Sequence, residues 1–198
     1  GSKGAALSSL ADCEHLSLLN LSQEQVNVAS LDNLAFLADC NELTSLELSF
    51  PSVKEQCFED VACAPHLKKL TILNREIHVR CIAKLASTPV INRVHCYCDR
   101  LFVQELDSPV MISTLLLWAS RIEGDIDRLV RRLVDVESLE LASPDMDPLA
   151  VVRGLPQTVK QLVLRTNQEV TKAFVDQLAS CQPLRMLQID APRADRIE

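Results

Sequence analysis

The chain has 198 residues, 47% of them hydrophobic, which is enough for one domain with a substantial core and excludes a disordered composition. A formal net charge of −7, with a pI near 5.1, argues against a nucleic-acid backbone as the main partner, because such binding rests on a basic footprint. Four glycines and 4% aromatics leave little for glycine-cornered barrels or base-stacking platforms, and no apolar run reaches the roughly 18 residues of a membrane helix.

Gly1-Ser2 reads as a cloning remnant, so residues 1–4 are expected to lie outside a single domain spanning 5–192, with a tail at 193–198. Within that span one phrase, L-x-x-L-x-L, recurs. It is loose at Leu16…Leu19…Leu21, clear at Leu43…Leu46…Leu48 and Leu67…Leu70…Ile72, and loose again at Ile91…Val94…Cys96 and Ile112…Leu115…Leu117. It is clear once more at Val136…Leu139…Leu141, Val159…Leu162…Leu164 and Leu184…Leu187…Ile189. The eight copies start 21 to 27 residues apart, a period that marks a solenoid. The end of each phrase alternates apolar and polar, which suits a short strand with one buried face.

Ahead of each phrase the period changes. Leu10, Leu37, Val61, Leu85, Leu106, Val130 and Leu178 stand six residues before it, and Leu7, Leu34, Phe58, Ile82, Val103 and Val175 stand nine before. Cys13, Cys40, Ala64, Leu133 and Cys181 stand three before. Apolar residues at steps of three predict one face of a helix. Pro51, Pro144 and Pro192 follow strands; Pro65, Pro89, Pro109 and Pro183 separate a helix from the next strand. Asp125 is expected to cap a helix through Ile126, Leu129, Val130 and Leu133, while Pro148 and Pro156 bracket one of no more than two turns. Thr171 or Asn167 opens the helix after that. The expected fold is α/β: a right-handed solenoid of about eight repeats, with a concave parallel sheet and convex helices.

The eight cysteines fit reduced packing residues in an intracellular protein, cytoplasmic or nuclear, better than a disulfide framework. Cys96-x-Cys98 and His78-x-x-Cys81 do not converge into four zinc ligands, so no metal is expected. No phosphate-cradling glycine loop, H-E-x-x-H or G-x-S-x-G occurs, and the four histidines are dispersed. A non-enzyme without a cofactor is the reading.

The outward residues of each strand are the third, fifth and seventh of its phrase. The only Tyr and the only Trp, Tyr97 and Trp118, occupy the seventh position of adjacent copies. Leu73 and Leu116 extend them into an apolar patch, and Lys69, Arg93, His95 and Arg165 are expected to ring it. Aromatic anchors within a polar rim suit a protein or peptide partner docked on the concave face. One alternative is a one-residue slip of Ser113–Trp118, which would bury Trp118. Another is a nucleic-acid surface built on Lys68, Lys69, Arg75, Arg80 and Arg93.

These residues resemble the leucine-rich repeat family over nearly the whole chain. The resemblance is closest to the helical, cysteine-containing type, carried by Leu10-Ala-Asp-Cys13, Leu37-Ala-Asp-Cys40 and Leu178-Ala-Ser-Cys181, with ribonuclease-inhibitor-like repeats a related possibility. It implies a scaffold or receptor module, and the substrate-receptor subunits of ubiquitin ligases are one family role. The family's asparagine after the strand is present only as Asn167; Glu24, Pro51, Arg75, Asp99, Ser120, Pro144 and Pro192 stand elsewhere. Irregular loops are therefore expected at those turns. Neither end carries a polar capping repeat, so the ends are expected to dock onto flanking domains of a longer protein.

Overall fold

The structure, a computed structural model, describes residues 7, 9–13, 15–26, 30–85 and 90–191. Pro89, Pro192 and both proposed terminal segments lie outside the described residues. Eight parallel strands form one sheet in sequence order. They are β1 (Leu18–Ser22), β2 (Ser45–Ser49), β3 (Lys69–His78), β4 (Arg93–Phe102), β5 (Thr114–Glu123), β6 (Ser138–Ala142), β7 (Gln161–Arg165) and β8 (Met186–Asp190). Each of the repeated phrases supplies one of these strands.

The leucines stack because the register is in step. Leu19, Leu46, Leu70, Val94, Leu115, Leu139, Leu162 and Leu187 are paired from strand to strand across the whole sheet. From Leu46 to Leu162 these side chains are fully buried. Two residues on, Leu48, Ile72, Cys96, Leu117, Leu141 and Leu164 make a second buried row. The intervening side chains of β2 and β6 are half-exposed, so one sheet face enters the core and the other stays open.

The buried face packs against helices in the same apolar core. They are α2 (Glu55–Ala62), α3 (Val79–Leu85), α4 (Ile126–Val130), α5 (Pro148–Gly154) and α6 (Lys172–Leu178), while Gln23, Glu24 and Gln25 of the short α1 (Gln23–Val26) are exposed. The carboxylate of Asp125 accepts from the Asp127 amide at 3.2 Å, and that of Asp147 from Leu149 at 2.9 Å with Pro148 entering the first turn. Thr171, not Asn167, opens α6, its hydroxyl accepting from the Phe174 amide at 3.3 Å.

Several expectations need correction. The residues ahead of Leu16 and Leu43 form 3₁₀ turns, Ser9–Asp12 and Ala35–Asp39, in place of the α-helices that their spacing predicts. No helix precedes Ile112. β4 runs on to Phe102 and leaves only 103–109 before the next short strand, so Val103 and Leu106 reach the core from a loop. α4 ends at Val130; Leu133 belongs to a two-residue strand, Leu133–Val134, paired with Val110–Met111. Cys13 is exposed where a packed residue was expected, whereas Cys40 is buried.

Three of the turns after the phrases are more regular than expected. β3, β4 and β5 each span ten residues. Their pairing skips only Arg75, Asp99 and Ser120, then resumes in the same register. The burial pattern changes parity at this break, from Leu70 and Ile72 before it to Ile77 after it. A one-residue bend thus replaces the expected loop and turns the following residues inward.

Candidate functional site

Along the open face, the fifth residue of each strand from β3 to β8 falls into one row. Leu73, Tyr97, Trp118, Ala142, Arg165 and Asp190 are successive register partners from β3 to β8. Parallel strands lie about 4.8 Å apart, so large side chains in one row must touch. Tyr97 and Trp118 do, edge to face, with ring centroids 5.8 Å apart and planes at 63°. Trp118 is 39% exposed and Leu73 37% exposed. The one-residue slip that would bury Trp118 is therefore absent.

Ala142 is small enough for Arg165 to lie across it. The Arg165 guanidinium sits 5.1 Å from the Trp118 ring centroid. Glu140 locks the arrangement, accepting from Trp118 Nε1 at 3.1 Å and from Arg165 Nε at 3.2 Å. Asp190 lies 3.4 Å from the other side of the guanidinium. Glu140 was not foreseen as a site residue, although its outward position on the strand beside Trp118 was a readable signal.

The residues of this row line an open cavity of about 710 Å³. Its floor is Leu73, Tyr97, Trp118 and Ala142; Asn74, Asp99, Ser120, Pro144 and Asn167 form its far wall. Thr166 braces that wall, its hydroxyl donating to the Met146 carbonyl at 2.7 Å and accepting from the Gln168 amide at 3.0 Å. The residue before Asn167 thus holds the turn. Ser143 is also buried in the lining, and its hydroxyl has no hydrogen-bond partner among the described residues.

The expected basic ring does not surround this cavity. Of its four members only Arg165 lines it, and that charge is met by two carboxylates. Lys69 and Arg93 begin their strands, four residues before the cavity row, a distance of about 13 Å along a strand. His95 and Leu116 are register partners between the two rows. Burial, then the charges of Lys69 and Arg93, hold the His95 imidazole below its ordinary pKa against the pull of Glu140. It is therefore neutral at pH 7. Arg80 is bound to Glu55 at 3.1 Å on the helical side and is no part of the open face.

Cys98 is the one thiol in the cavity wall. Burial, with a smaller contribution from Asp99, pushes it up to about 12, so it stays protonated and is a weak nucleophile. Among the described residues no cluster of three or more His, Cys, Asp or Glu has metal-binding geometry, and no helix is long and apolar enough to cross a membrane. Compared with known proteins, the chain matches no family model, no curated protein and no solved structure.

Proposed function

We propose that the chain is a solenoid of the leucine-rich-repeat type, about eight repeats long, used as a non-enzymatic protein-interaction module. The open sheet face is the concave surface, and a protein or peptide docks on it at the cavity built around Tyr97 and Trp118. One observation carries this reading. The only tryptophan stands partly exposed on the open sheet face, with a half-buried tyrosine and an exposed leucine beside it, over an open cavity. A large aromatic held by Glu140 and Arg165 presents wide apolar area at little entropic cost, which is the make-up of an interface anchor.

The same geometry favours a protein over a nucleic acid at this place. Asp99 and Asp190 line the cavity and would repel phosphate. Receptor duty within a larger intracellular assembly, including a ubiquitin ligase, is the role that the resemblance to leucine-rich repeats implies, and it would use the same surface.

The test is affinity capture with the immobilised protein, wild type beside Trp118→Ala, with captured proteins purified and rebound singly. Trp118→Ala is expected to lower partner affinity at least tenfold while leaving the unfolding midpoint within about 0.5 kcal/mol of wild type, since a half-exposed side chain contributes little to the core. Unchanged binding by Trp118→Ala would overturn the reading.

A further inference from the structure

Resting on the reading of the cavity as a peptide site, we infer that its occupant is a basic segment with an apolar anchor: a leucine or aromatic side chain flanked by lysine or arginine. The apolar part follows from the floor of Leu73, Tyr97, Trp118 and Ala142. The basic part follows from charges that the cavity leaves uncompensated.

Asp99 stands at the bend of β4, in the wall shared by this cavity and a neighbouring one lined by Glu24 and Arg75. It forms no ion pair or side-chain hydrogen bond among the described residues. Arg75, at the matching bend of β3, comes no closer than the 4 Å limit of an ion pair. Arg165 brings the one cationic group of the main cavity, and Glu140 and Asp190 already neutralise it. The carboxylates around the site, Glu24, Asp99, Glu140 and Asp190, therefore outnumber its guanidiniums, Arg75 and Arg165. A ligand cation meets Asp99 without first breaking an internal pair, whereas in the main cavity a ligand anion meets only the Arg165 guanidinium, which Glu140 and Asp190 already hold. The chain's net charge of −7 steers basic partners in the same direction.

Trp118 is the only tryptophan, so its emission reports directly on this cavity. The probes are three pools of acetylated, amidated pentapeptides with a central Leu or Phe and flanks of Lys/Arg, Gln or Glu. The basic pool is expected to shift Trp118 emission at the lowest concentration, ahead of the Gln pool, with the Glu pool last. Asp99→Asn is expected to narrow the basic-over-neutral preference by about 2- to 5-fold, and added salt to narrow it further in wild type. Equal or tighter binding of the Gln or Glu pool overturns the charge inference and leaves the peptide site standing. A preference unchanged in Asp99→Asn removes Asp99 from the account. If no pool alters Trp118 emission, the peptide reading of the cavity falls, and this inference with it.

Discussion

Gly124 shows how a single residue closes a strand. Its φ is +109°, and a Cβ there would lie 2.3 Å from the Val103 carbonyl oxygen. The Val103 amide in turn donates to the Glu123 carbonyl at 2.8 Å, so the ends of β4 and β5 are tied together with no room for a side chain. The buried thiols act at the same scale. Burial raises Cys57 to about 12, Cys81 to about 11 and Cys98 to about 12, and it raises Cys96 as well. A thiol raised in the folded state contributes stability that is fully present below its unfolded pKa, near 9, and is lost as pH climbs toward the folded value. Under reducing conditions the urea midpoint is expected to fall from about pH 9 upward, at up to ~1.4 kcal/mol per pH unit for each thiol that ionises only when unfolded. Cys96→Ala should lower the midpoint at neutral pH yet flatten its alkaline decline. An alkaline slope unchanged by that substitution would contradict the assignment.

Among the elements, the strands carry the burial that sets the fold. Leu139 is fully buried in the middle of the leucine ladder, whereas Leu187, its counterpart on β8, is 40% exposed. Leu139→Ala is expected to cost about 2–5 kcal/mol in chemical denaturation and Leu187→Ala under about 1.5 kcal/mol. Equal costs would contradict the gradient of burial along the sheet. The strands were legible in the sequence because every repeated phrase places two apolar residues two apart, and parallel pairing keeps them in register. The connections were less legible. A step of three apolar residues reads as a helix whether the chain forms α3, the 3₁₀ turn at Ala35–Asp39 or the loop through Val103 and Leu106. For the loop the cause is the length of β4, which leaves only 103–109 before Val110. The extension of β3, β4 and β5 past Arg75, Asp99 and Ser120 had no periodic signal, since the change of parity at the bend breaks the alternation that would announce it.

At the scale of the whole molecule, the ladder sets the frame and the residues between the leucines set the surface. Tyr97, Trp118, Leu73 and Arg165 came together as their spacing implied. Lys69 and Arg93 did not, because equal position in a phrase gives proximity across strands but not along them. Charge at the cavity therefore has the opposite sign to that read from the sequence, and the proposed partner changes from one met by arginines to one met by Asp99. The most direct measurement is acrylamide quenching of Trp118 with and without a partner captured by the wild-type protein. Alone, the half-exposed indole is expected to be readily quenched; with the partner bound, quenching should fall several-fold and the emission should move to the blue. Quenching that stays the same in the complex would place the partner elsewhere and contradict binding at this cavity.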